Sequence, residues 1–228
     1  MFVRTVGFQV CLVVVGLFTH GCGDDADGGK DTGRASGKDA SIGDGATPTD
    51  DDAGAPAGLT RWVGEVEDSD VLLGVVVDEG ARARVFFCGG PSSFGSSTRW
   101  VLTEVDGDGA FSFEDTGWRV RGEIGANRIR GRLEIGDDAG QDFSAAPIRA
   151  GTLAGLYEGQ AECGRVGLIV LQDRPSSPPR GQGACVGPGH LPEQVSPILP
   201  ITLDAGAIAV EIGDAKADVR PAGPAPAP

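Results

Sequence analysis

From about residue 59 onward, apolar and polar positions alternate with a period of two, in short runs broken by turn residues. TRWVGEV, DVLLGVVVD, RARVFFC, STRWVLTEV, AFSFED, GWRVRGEI, NRIRGRLEI, QDFSAA, LAGLYEGQAEC, RVGLIVLQ and AIAVEI each read as a strand with one face toward a core. Between them lie DEGA, DGDG, EIGAN and GDDAG, where Gly supplies positive φ and Asp or Asn bonds the local backbone. Dense hairpin punctuation implies antiparallel neighbours, and no helix of ordinary length is visible. So many strands cannot form an open sheet without exposed edges. The pattern therefore predicts an all-β domain over 59–215, an antiparallel β-barrel or sandwich of about 8–11 short strands. Residues 174–200, rich in Pro and Gly, read as a long loop, and 216–228, ending in RPAGPAPAP, as a disordered Pro/Ala tail.

The N-terminal quarter has a different pattern. Residues 1–21 carry one positive charge, Arg4, then an apolar run over Val10–Phe18 and small or polar residues to Gly21. That is the layout of a secretory signal peptide, and the apolar run is shorter than the roughly 20 residues that span a bilayer. Gly21 followed by Cys22 resembles the processing site of bacterial lipoproteins, in which a small residue precedes the lipidated cysteine. The resemblance covers only the leader and implies lipidation at Cys22, a membrane anchor and a place in the cell envelope, periplasmic or surface-exposed. Residues 22–58 then hold almost only Gly, Ala, Asp, Ser, Thr and Pro, with Ile42 the one large aliphatic residue. Such a segment buries too little apolar surface to order itself, so it reads as a disordered acidic tether.

Charge narrows the partners. The whole chain carries −14; nine Asp against three Lys or Arg give the tether −6, and removing that with Arg4 leaves −9 on 59–228. An acidic domain of this kind argues against nucleic acid and against direct adhesion to anionic lipid. Three cysteines remain after Cys22, and in an oxidising compartment two should pair. Cys163 with Cys185 is the favoured disulfide, since one chain reversal brings them together; Cys88 with Cys163 is the alternative, because spacing alone does not fix connectivity. Cys88 in VFFCGG then reads as a buried thiol. As a nucleophile it would need a base, and the only histidine after Cys22 is His190 in the Pro-rich loop. DGDGAFSFED lacks the ligand count of a calcium loop and reads as a hairpin turn. No catalytic residue, metal site or cofactor is assigned.

Against this acidic background, GWRVRGEIGANRIRGRLE concentrates five arginines. A hairpin turning at Gly125–Ala126 would oppose Glu123 to Arg128, Arg121 to Arg130, and Arg119 to Arg132 on one face. Trp118, Val120, Gly122, Ile129, Gly131 and Leu133 would fill the other. Like charges directly opposite one another are unfavourable, so the array needs a reason. Either Glu114, Asp115 and Glu134 neutralise it in a surface network, or Arg119, Arg121, Arg128, Arg130 and Arg132 bind an anionic glycan, a lipid head group or an acidic protein partner. The functional expectation is a lipid-anchored binding or structural module. The alternative is an envelope enzyme using a cleft around Cys88 or paired carboxylates.

Overall fold

The computed structural model describes residues 58–189 and 191–224, so the leader, Cys22, nearly all of the tether, His190 and residues 225–228 lie outside the described residues. The expected all-β antiparallel fold class is the one observed, but with fourteen strands among the described residues, in two barrels within one compact unit, rather than the single barrel or sandwich of about 8–11 strands.

The first barrel comprises β1 Thr60–Val66, β2 Leu72–Val77, β3 Arg82–Cys88, β4 Arg99–Glu104, β5 Ala110–Asp115, β6 Trp118–Ile124, β7 Ile129–Ile135 and β8 Gln141–Pro147, with a short helix α1 at Phe94–Ser97. Their order in the sheet is β4-β3-β2-β1-β8-β7-β6-β5, an up-and-down meander whose first and last strands pair. Only the junction of β4 with β5 lacks a ladder. It is held by one backbone bridge, Val105 to Phe111, by the Thr103 hydroxyl donating to the Ser112 carbonyl at 2.6 Å, and by an Arg99–Asp115 ion pair.

Alternation places Leu73, Val85, Phe87, Val120, Ile129 and Phe143 inside, so this barrel is packed with side chains. Gly122 and Gly131 share that inner face for a steric reason. A Cβ there would lie 2.4 Å from the Phe111 ring and 2.2 Å from the Phe143 ring.

The second barrel is closed: β9 Gly155–Ala161, β10 Gly164–Leu171, β11 Arg180–Val186, β12 Glu193–Pro197, β13 Ile208–Ile212 and β14 Ala215–Pro221, in the order β10-β11-β12-β13-β14-β9. Val166, Leu168, Ile208, Val210 and Val219 form its core. The disulfide joins Cys163, in the β9–β10 turn, to Cys185 on β11, with Cα atoms 6.0 Å apart.

Two sequence expectations need correction. The stretch 174–200 is not one loop, because it contains β11 and β12. Gly181 and Gly183 occupy inward positions of β11, where a Cβ would press on Leu168 and on the Gly167 carbonyl, so the strand lacks the apolar side chains that would mark it. The tail also begins later than 216, since β14 runs to Pro221. Gly213, at φ +58°, makes the tight turn that folds β14 back on β13.

The two barrels meet outer face to outer face. Leu72, Val76, Phe86 and Cys88 of the first pack on Leu156, Ile169 and Ala184 of the second. Beside this apolar contact Glu158 on β9 takes Arg84 of β3 at 3.1 Å and Arg165 of β10 at 2.6 Å, and the Arg165 guanidinium sits 4.0 Å over the Trp100 ring. Glu158 also accepts the Gly223 N–H at 3.1 Å, while Arg61 and Arg84 donate to the carbonyls of Ala222 and Pro224, so the segment after β14 is clasped between the barrels.

Candidate functional site

The five arginines do share the outer face of the β6–β7 hairpin, but the register differs from the expected one by two residues. The turn falls on Ala126–Asn127, with the Gly125 N–H donating to the Arg128 carbonyl at 2.9 Å. Glu123 therefore faces Arg130, Arg121 faces Arg132, and Arg119 faces Glu134. A shift of two preserves the sorting of faces, because side chains alternate with the same period. It also removes one of the two expected like-charge pairs.

The shift divides the ribbon. Arg119 donates to Glu134 at 2.6 Å and to Glu114 at 3.2 Å, and Arg132 donates to Asp142 at 2.7 Å and to the Gly140 carbonyl at 3.1 Å. Asp115 does not join this network; it pairs with Arg99. Arg121, Arg128 and Arg130 are exposed and make no ion pair or side-chain hydrogen bond among the described residues. Exposed pairs such as those of Arg119 and Arg132 are screened by solvent, so they order the ribbon more than they stabilise the fold.

The ribbon continues across the sheet. Arg130 lies opposite Ser144 on β8, and Ser144 opposite Glu65 on β1. There the surface dips into a groove of about 380 Å³ between the barrels, lined by Arg128, Arg149 and Arg180. Sequence reasoning missed Arg149 and Arg180. Both are isolated in the chain, and only the packing of the second barrel brings them beside Arg128.

Cys88 offers no accessible nucleophile. It is fully buried between the barrels, and burial pushes its thiol up to about 12, against the weaker opposite pull of hydrogen bonds from Gln182 and Thr98. Asp70 behaves in the opposite way. The hydroxyls of Ser92 and Ser93 and the Ser92 N–H donate to its carboxylate, holding it down at about 2 and pinning the Gly90–Ser93 turn to the end of β2. In the DGDG hairpin the Asp106 carboxylate accepts the N–H groups of Asp108 and Ala110, both at 2.9 Å, which is turn capping. Among the described residues no group of three or more His, Cys, Asp or Glu is arranged to hold a metal ion. No family model, curated protein or solved structure matches the chain.

Proposed function

We propose that this chain is an exported lipoprotein, anchored through Cys22 in the cell envelope, whose β-unit is a binding module for an anionic ligand. The observation that carries this reading is the set of three exposed arginines, Arg121, Arg128 and Arg130, on one face and making no ion pair or side-chain hydrogen bond among the described residues, even though Glu123 lies opposite Arg130. In a segment where twenty-four Asp and Glu outnumber fifteen Lys and Arg, acidic side chains to neutralise them are plentiful. An internal network would have used them, as Arg119 and Arg132 do. A guanidinium left facing solvent keeps its planar fork of donors free for a carboxylate or phosphate. Anchoring by lipid and the acidic tether would hold this face clear of the anionic membrane surface.

Two experiments test the reading. Cys22→Ser should release the protein from membranes, and wild-type detergent partitioning of that variant would overturn the anchor. Arg121→Gln with Arg130→Gln should weaken binding to oligogalacturonate roughly tenfold or more, a loss of about 1.4 kcal/mol or more shared by two solvent-exposed charge-assisted contacts. The melting temperature should hardly move, because neither arginine has an ion pair to lose. A lower melting temperature with unchanged binding would assign the ribbon to the fold instead.

A further inference from the structure

We infer that the groove between the barrels is a second seat for an oxyanion, so that the ligand is a linear polyanionic glycan spanning the ribbon and the groove. The inference rests on the anion-binding reading of the ribbon. Three arginines reach this groove from separate parts of the chain: Arg128 from the β6–β7 turn, Arg149 from the link between the barrels, and Arg180 from the start of β11. They are only lightly committed. Arg128 has no partner among the described residues, Arg149 donates once to the Asp173 carbonyl at 3.0 Å, and Arg180 pairs with Glu65 in a contact exposed by 66% and 49% on its two sides. An ion pair that open to water exchanges readily for a competing anion.

The floor of the groove suits close approach. Ser144, Ala146 and Ala154 are small, and the Ser144 hydroxyl makes no hydrogen bond among the described residues, which leaves it free to donate. Glu65 and Asp173 also line the groove, so three arginines outweigh two carboxylates there, while 59–228 as a whole carries −9. The ribbon and the groove lie along one row, Arg130, Ser144, Glu65, on adjacent strands β7, β8 and β1. Adjacent strands are about 4.8 Å apart, so anion positions at the two ends lie roughly 10 Å from each other. A glycan with a charge on each successive sugar can fill both, whereas a single small anion can fill only one.

The test is a calorimetric titration of three proteins, wild type, Arg149→Gln/Arg180→Gln and Arg121→Gln/Arg130→Gln, with hexagalacturonate, galacturonate monomer and inorganic phosphate. The expected result is that the hexamer binds wild type at least tenfold more tightly than the monomer, and that either double variant removes that advantage. Arg149→Lys/Arg180→Lys should keep part of it, which separates lost charge from a folding defect. Phosphate should bind no more tightly than the monomer, since it too fills only one seat, and phosphate binding as tightly as the hexamer would overturn the two-seat inference. If the ribbon variant loses hexamer binding while the groove variant binds as wild type does, the groove inference fails and the ribbon reading stands. If wild type binds none of the three probes, both fail.

Discussion

Phe86 on β3 packs directly over Gly167 on β10, across the contact between the two barrels: a Cβ added at Gly167 would lie 2.6 Å from the Phe86 ring, which is itself fully buried. The contact is mirrored by Leu156 on β9 against Gly74 on β2, where the added Cβ would meet Leu156 at 2.8 Å. Each barrel thus presents one bulky side chain to a glycine of the other. Gly167→Val should overpack this junction and cost about 1–3 kcal/mol, read as a lower melting temperature. Gly95→Ala in α1, where a new Cβ meets nothing within 4 Å, is the control and should melt as wild type does.

The cysteines should differ sharply in chemistry. With its thiol near 12 and no exposed surface, Cys88 should resist iodoacetamide at pH 8 in the native protein and react fully once denatured. Reducing the Cys163–Cys185 bond, which spans 22 residues, should cost about 3 kcal/mol in the loop-entropy account, seen as a drop in thermal stability with reductant. Rapid native alkylation of Cys88 would contradict its placement between the barrels.

Acid should loosen the β2 end through Asp70. Its folded value near 2 lies below the ordinary value of 3.8, so the carboxylate favours the folded state above about pH 4. That contribution falls away as pH drops from about 4 through 2. Asp70→Asn should be less stable than wild type at pH 6, and the gap should close by pH 2. A gap independent of pH would show that the hydroxyls of Ser92 and Ser93 do not act on an ionised carboxylate.

Much of this architecture was legible because side-chain alternation reports burial directly. Strands such as RARVFFC and RVGLIVLQ carry their inward faces as apolar residues. β11 did not show because glycines hold its inward places, and β14 because only Val219 of AKADVRP is a strong strand former. The Gly213–Asp214 turn after the alternating run IAVEI was the available signal for β14. The arginine face was readable from parity alone, but its register was not, since turns one residue apart sort the faces identically. That difference determined which arginines found carboxylates. The groove depends on Arg149 and Arg180 meeting Arg128 across two barrels, a relation no local pattern encodes.

Whether the outer face of β6 and β7 binds anions is decided by titrating wild-type protein with hexagalacturonate at two ionic strengths, beside neutral cellohexaose. The charged glycan should bind saturably, weakening markedly between about 0.01 M and 0.15 M salt as the screening length falls from roughly 30 Å to 8 Å, and the neutral one should not bind. Equal affinity for both glycans, or no binding of the charged one at low salt, would contradict anion binding at this face.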